Sequence, residues 1–284
     1  MTALEDLEER RAHECRLTPD RALETLDDAD EFLRDRGLLT RTVDSALPSL
    51  FEACHEEPCA RESRGFGQWP ATKFPWFGLL GARGYLILRI HLGKSLLVTE
   101  EVATLLDPIC RAELARMEGA DEGWARLLRH LGEAGPSELD DLQTELSLSP
   151  KELKSLRSPL ERCGAIVSRS IVYEDPHRHT SVLARWDQVH PEPGRARDPR
   201  RAFGDLVCAG VRAAVVAPER EPARWFSWRR QWDDALLAGR ARRGRTSRPG
   251  RRPPGRPRLR KRRCYTRPTT FHRFGEMGLR AHFL

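Results

Sequence analysis

Between residues 124 and 186 the apolar residues switch from helical to strand spacing in an order that few folds share. Trp124, Leu127, Leu128 and Leu131 recur at i, i+3, i+4 and i+7, and Gly135-Pro136 closes that helix. Ser137 is then the expected N-cap of a second helix with Leu139, Leu142 and Leu146 inward. After Ser147-Leu148, Ser149 caps a third helix, Pro150 suits its first position, and Glu152 lies where a carboxylate favours the helix dipole. Leu153, Leu156 and Leu160 make one stripe, and Gly164 ends it. A-I-V-S-R-S-I-V then alternates as a strand, E-D-P-H-R-H-T is a polar loop, and S-V-L-A-R-W returns as the partner strand. Three helices followed by a β-hairpin predict a winged helix-turn-helix. The competing arrangement is a helical hairpin with a surface β-ribbon that touches no nucleic acid.

In a winged helix the third helix can enter a DNA groove while the hairpin loop reaches backbone. With the leucines inward, Ser149, Lys151, Lys154, Ser155, Arg157 and Ser158 are left towards solvent. Short hydroxyls and long cations are the groups that contact phosphates and base edges. Arg169 on the strand and His177, Arg178 and His179 on the loop continue the strip. Double-stranded DNA is the expected partner. Two other readings stay open, an ordinary solvated helix face and a winged helix serving protein contacts.

The net charge of +7 misleads about the rest of the chain. Residues 238–284 hold 16 Lys/Arg and one Glu, so 33 basic and 41 acidic residues remain in 1–237, a net −8. A broad cationic footprint is therefore excluded outside the tail, and any DNA contact must be local. Arg outnumbers Lys 44 to 5 and Asn is absent, which fits GC-rich coding and removes the Asn–adenine pairing from possible base readout. Seven scattered cysteines, no signal peptide and no long apolar span predict a reduced, cytoplasmic protein without a membrane partner.

The expected organisation is α+β, mainly helical with small β-hairpins, in tandem winged-helix units. Residues 1–118 read as an N-terminal helical domain, 119–186 as the winged helix, 187–202 as a Pro/Arg-rich linker, 203–237 as a partial second winged-helix-like unit, and 238–284 as a disordered basic tail. Within the first domain, residues 1–17 form a peripheral helix or a frayed end, and Thr18-Pro19-Asp20 opens a helix that Gly37 stops. A short helix follows within A-L-P-S-L-F-E-A-C-H. Y-L-I-L-R-I-H and S-L-L-V-T pair as a hairpin, and residues 100–118 make a long helix. The R-G-F-G-Q-W-P-A-T-K-F-P-W-F stretch is either a plug between domains or a stacking platform for an unstacked base. Gln68, Trp69, Lys73 and Trp76 are its candidate pocket. The 203–237 segment echoes the three helices of the winged unit, but the hairpin owed after Leu237 is replaced by an Arg-, Gly- and Pro-rich run. That run reads as a phosphate-gripping arm or as a frame-shifted product of GC-rich DNA.

Motifs for other chemistry are missing. Gly93-Lys94-Ser95 lacks the upstream glycine of a phosphate loop, position 88 being Leu. Cys54-His55-x-x-x-Cys59 offers three ligands without a CxxC pair or a fourth, so no metal site is assigned. No cofactor, small-molecule ligand or catalytic residue is assigned, and neither a G-x-S-x-G nor a nucleophilic Cys pattern occurs.

From W-A-R-L-L-R-H-L-G-E-A-G-P-S-E-L-D-D-L through L-R-S-P-L-E-R-C-G-A-I-V-S-R, and again at A-G-V-R-A-A-V-V-A-P-E-R-E-P-A-R-W-F, the chain resembles the AlkZ (YcaQ) family of crosslink-repair DNA glycosylases, especially its AlkZ-related branch. The resemblance spans about residues 20–237 and lies in the repeat pattern. It implies tandem winged helices around a cleft, metal-free base excision and a bacterial DNA-repair role. The family's Gln-x-Gln catalytic pair is missing: the four glutamines stand at 68, 143, 188 and 231, and Gln68 is the nearest candidate. A winged-helix regulator and a non-enzymatic interaction module are the alternatives.

Overall fold

The computed structural model describes residues 2–56, 69–120, 122–172, 179–192 and 198–233. Its first sheet is β1 (Leu38–Thr40), β2 (Leu86–His91) and β3 (Lys94–Val98), antiparallel in the order β1-β3-β2. The β2–β3 turn is Leu92-Gly93, with φ of 52° and 74°. Two successive positive φ values are what a two-residue hairpin needs to match strand twist, and they exclude a phosphate loop at Gly93.

Alternation sends the two faces of this sheet into different cores. Leu38, Leu88, Ile90, Leu96 and Val98 meet α5 (Glu100–Glu118), α10 (Pro199–Ala214) and the Trp225, Phe226 and Trp228 cluster. Leu39 and Leu97 meet α2 (Leu26–Arg36), α3 (Leu50–Ala53) and α4 (Trp76–Ala82) through Phe32, Leu33, Phe51 and Phe77. α1 (Ala3–Glu14) is a formed but peripheral helix, capped by Thr2 and tied down by the Arg36–Glu14 pair at 2.6 Å. None of its residues is buried.

Helix α5 feeds two cores. Val102, Leu106, Ile109 and Cys110 belong to the first, whereas Leu114 and Met117 belong to a separate one built by the following segment. That segment runs α6 (Glu122–Ala134), β4 (Ser137–Glu138), α7 (Leu139–Glu145), α8 (Pro150–Cys163), β5 (Ile166–Val172) and β6 (His179–Arg185). Its sheet is antiparallel in the order β4-β6-β5. Leu127, Leu128, Leu131, Leu142, Leu153, Leu160, Ile166 and Leu183 fill the space between helices and sheet. β6 runs directly into α9 (Trp186–Val189), whose Trp186 is fully buried in the first core.

Several expectations need correction. Ser137 caps no helix: it pairs with Leu183 in β4, its hydroxyl donates to the Gly135 carbonyl (2.9 Å), and Glu138 is the residue before α7. Thr18-Pro19-Asp20 begins a single 3-10 turn, and α2 starts only at Leu26, where Thr25 and Asp28 form a capping box. The expected linker 187–202 is partly structured, because α9 occupies its start and α10 begins at Pro199 under an Asp198 cap. The three-helix echo in 203–237 does not form among the described residues. That stretch carries the body of α10 followed by two 3-10 turns, Pro222–Arg224 and Arg229–Gln231. It packs into the first core and builds no second unit among the described residues. Residues 234–284, including the basic tail, lie outside the described residues.

Candidate nucleic-acid interface

Local sequence fixes α8 at both ends. The Glu152 amide donates to Ser149 Oγ (3.3 Å), while the Ser149 amide and hydroxyl donate to Glu152 Oε2 (2.8 and 2.6 Å). These bonds hold the Glu152 carboxyl below its ordinary value, the side-chain bond from Ser149 being the largest cause. Gly164 closes the helix at φ 75°. Leu153 and Leu160 are buried, and Leu156 packs against them. Ser149, Lys151, Lys154 and Ser155 are therefore carried outward and exposed. The Ser155 hydroxyl donates to the Glu152 carbonyl at 2.7 Å. Neither Lys151 nor Lys154 has a carboxylate partner among the described residues.

The C-terminal half of α8 differs because it meets β2. Arg157 keeps only 20% side-chain exposure, with Nε 3.9 Å from Glu161 Oε1. Ser158 is half-buried. Glu161 itself is buried at the junction, where the Ser168 hydroxyl donates to it and Arg89 Nε of β2 stands 3.6 Å away. Arg162, on the next position, lies over the β2–β3 turn: a Cβ at Gly93 would come within 3.0 Å of its Nε. Arg169 is exposed on β5, opposite Val182. His177 and Arg178 fall outside the described residues, as does Gln68.

The remaining candidate pocket residues serve packing. Trp69 stacks on Phe74 (5.0 Å, 11°) and leans on Phe51 (6.3 Å). Lys73 donates to the carbonyls of Leu23 (2.7 Å) and Cys54 (3.3 Å), and its ammonium sits 5.5 Å from the Trp76 ring centre. Trp69, Phe74, Trp76 and Phe77 thus pack on the face of the first sheet opposite α5. Beside it lies Arg41, which no sequence pattern singles out. Its guanidinium carbon stands 5.5 Å from the Trp69 ring centre and 4.7 Å from that of Phe77.

Two polar clusters join the cores. Buried Asp107 accepts from Trp186 Nε1 (2.8 Å) and Arg111 Nε (2.7 Å), and the His190 ring stacks on Trp186 (5.8 Å, 8°). Buried Glu113 is held by Arg116 (2.8 Å) and by Arg230. Among the described residues no group of three His, Cys, Asp or Glu could hold a metal. Cys54 is buried, and His55 Nε2 engages the Arg16 carbonyl (2.7 Å). No helix among the described residues is long and apolar enough to cross a membrane.

Compared with protein-family models, curated proteins and solved structures, the chain matches none. Fold and site define an α+β protein in which two small antiparallel sheets share one long helix. Its most distinctive surface is the exposed cationic half of α8.

Proposed function

We propose that residues 122–185 form a winged helix-turn-helix and that the protein binds double-stranded DNA through α8 and the β5–β6 hairpin. The connectivity supports this reading: helix, short strand, two helices and a hairpin, with the short strand paired to the last one. One observation carries it. Lys151 and Lys154 stand exposed, without carboxylate partners among the described residues, on the end of α8 that points away from the first core. Neither lysine neutralises a carboxylate among the described residues, and a phosphate backbone is a natural partner for such a pair. The resemblance to crosslink-repair glycosylases is taken only as far as DNA association, and no residue is assigned to base excision. The deciding experiment is duplex binding across a salt series with wild type, Lys151→Glu and Lys154→Glu. Binding should weaken in both variants, and the salt dependence should become shallower. Equal affinity in all three proteins at every salt concentration removes α8 as the contact.

A further inference from the structure

Arg41 is an unusual arginine. It follows β1 at the level of Ser95 in the central strand, since Thr40 pairs with Leu96. Its side chain crosses the face of the sheet occupied by Trp69 and Phe77, is half-buried there, and makes no ion pair among the described residues. Its Nε is buried and has no hydrogen-bond partner. A cation taken out of water without a partner is costly, and proteins pair such groups as a rule. The second arginine is Arg89 of β2. Leu88 and Ile90 on either side turn into the α5 core, and Leu88 pairs with Leu96 as Thr40 does, so Arg89 stands across the central strand from Arg41, where the β2 register turns irregular. Burial, and to a smaller extent the positive charge of Arg89, holds Arg41 below its ordinary value.

We propose that Arg41 and Arg89 are the two arms of a phosphate-binding site on the aromatic face of the first sheet. A guanidinium presents a planar fork of donors that fits a phosphate oxyanion, and two of them can grip different oxygens. The rings under Arg41 hold it in place at little entropic cost. Arg89 is fixed from its other side by Glu161, and Arg157 approaches the same carboxylate. Three guanidinium groups are then offset by one carboxylate, leaving a local excess of two positive charges. Lys154 lies one turn before Arg157 on α8, so the site continues the cationic strip of the proposed DNA face. The site does not depend on the winged-helix reading. Its ligand is a phosphate ester, either a phosphodiester of DNA or a free monoester.

The test uses the full chain and inorganic phosphate, with chloride at matched ionic strength as reference. At phosphate about tenfold above its dissociation constant, the wild-type unfolding midpoint should rise by roughly 3–6 °C. Arg41→Met keeps an apolar stem on Trp69 and Phe77 and should unfold no earlier than wild type in chloride, yet lose the phosphate shift. Arg89→Gln, on an exposed side chain, should reduce the shift without loss of fold and serves if Arg41→Met does not fold. No phosphate-specific shift in wild type, or an undiminished shift in both variants, overturns the site. A duplex-binding arm separates the sources: weaker DNA affinity in Arg41→Met points to a phosphodiester, and unchanged affinity with a lost phosphate shift points to a free monoester. Failure of the α8 reading would show separately, as unchanged DNA binding by Lys154→Glu.

Discussion

Substituting alanine at Gly164 should damage the joint between α8 and β5 in two separable ways. The residue sits at φ 75°, where a Cβ costs about 1–2 kcal/mol. That Cβ would also stand 2.6 Å from Cys110 Sγ and 3.6 Å from Trp228 Cζ2. Cys110 is fully buried in α5, and Trp228 is pinned by its indole N–H to the Cys163 carbonyl (3.1 Å). Both neighbours are themselves buried, so the overpacking adds about 1–3 kcal/mol. The sum, about 2–5 kcal/mol, is a large share of the stability of a chain this size. It corresponds to a midpoint loss of roughly 4–20 °C. Urea and thermal unfolding followed by tryptophan fluorescence would measure it. Adding Cys110→Ala removes the sulfur, so Gly164→Ala in that background should cost only the backbone part. If the alanine costs the same with and without the thiol, the close approach of α8 to α5 is not what requires glycine here. A cost below about 1 kcal/mol in the wild-type background would refute the backbone argument as well.

Charge reversal at Lys154 should reduce the salt slope of duplex binding by about 1 for each phosphate that α8 no longer neutralises, measured by fluorescence anisotropy across a salt series. Glu161→Gln removes the only carboxylate shared by Arg89 and Arg157 among the described residues, and should tighten inorganic phosphate binding while lowering the unfolding midpoint. Burial holds His91 below its ordinary 6.5, opposed by its bond to the Trp225 carbonyl (2.7 Å), so the ring is neutral in the fold. The unfolded chain takes up a proton as pH falls through 6.5 and the fold resists it. Stability from this group is therefore intact above that value and eroded below it. The loss in urea midpoint between about pH 7.5 and about pH 5.5 should be smaller in His91→Gln than in wild type. Burial also pushes the thiols of Cys15 and Cys163 up to about 11 and that of Cys54 up to about 12. Burial raises the Cys208 thiol as well, but among the described cysteines it alone is half-buried, so it should react first with a thiol reagent near pH 8.

What the sequence revealed and what it concealed follow one physical division. The limits of α5 and α8, the β2–β3 hairpin and the exposure of Lys151 and Lys154 were readable because caps, turns and periodicity act within a few residues. Ser137 misled because a serine before a leucine stripe has the chemistry of a cap. Only its pairing with Leu183, 46 positions away, makes it a strand residue. Arg157 occupies an outward position by periodicity, yet β2 lies over that half of the helix, and no local pattern announces a neighbouring sheet. Trp186 looked like the end of a hairpin and is a core residue of the other half. Arg41 and Arg89 stand 48 positions apart in sequence, and strand register alone aligns them. The three helices expected in 203–237 do not form among the described residues for a related reason. The Trp225, Phe226 and Trp228 side chains are drawn into the space between α5, α10 and the sheet, and the backbone follows them in short turns.

Helix α5 is 19 residues long, about 28 Å, with Pro108 near its middle, and each end of it is embedded in a different core. Pro108 lacks the amide that would close one of the helix's hydrogen bonds, so any bending between the two halves should concentrate there.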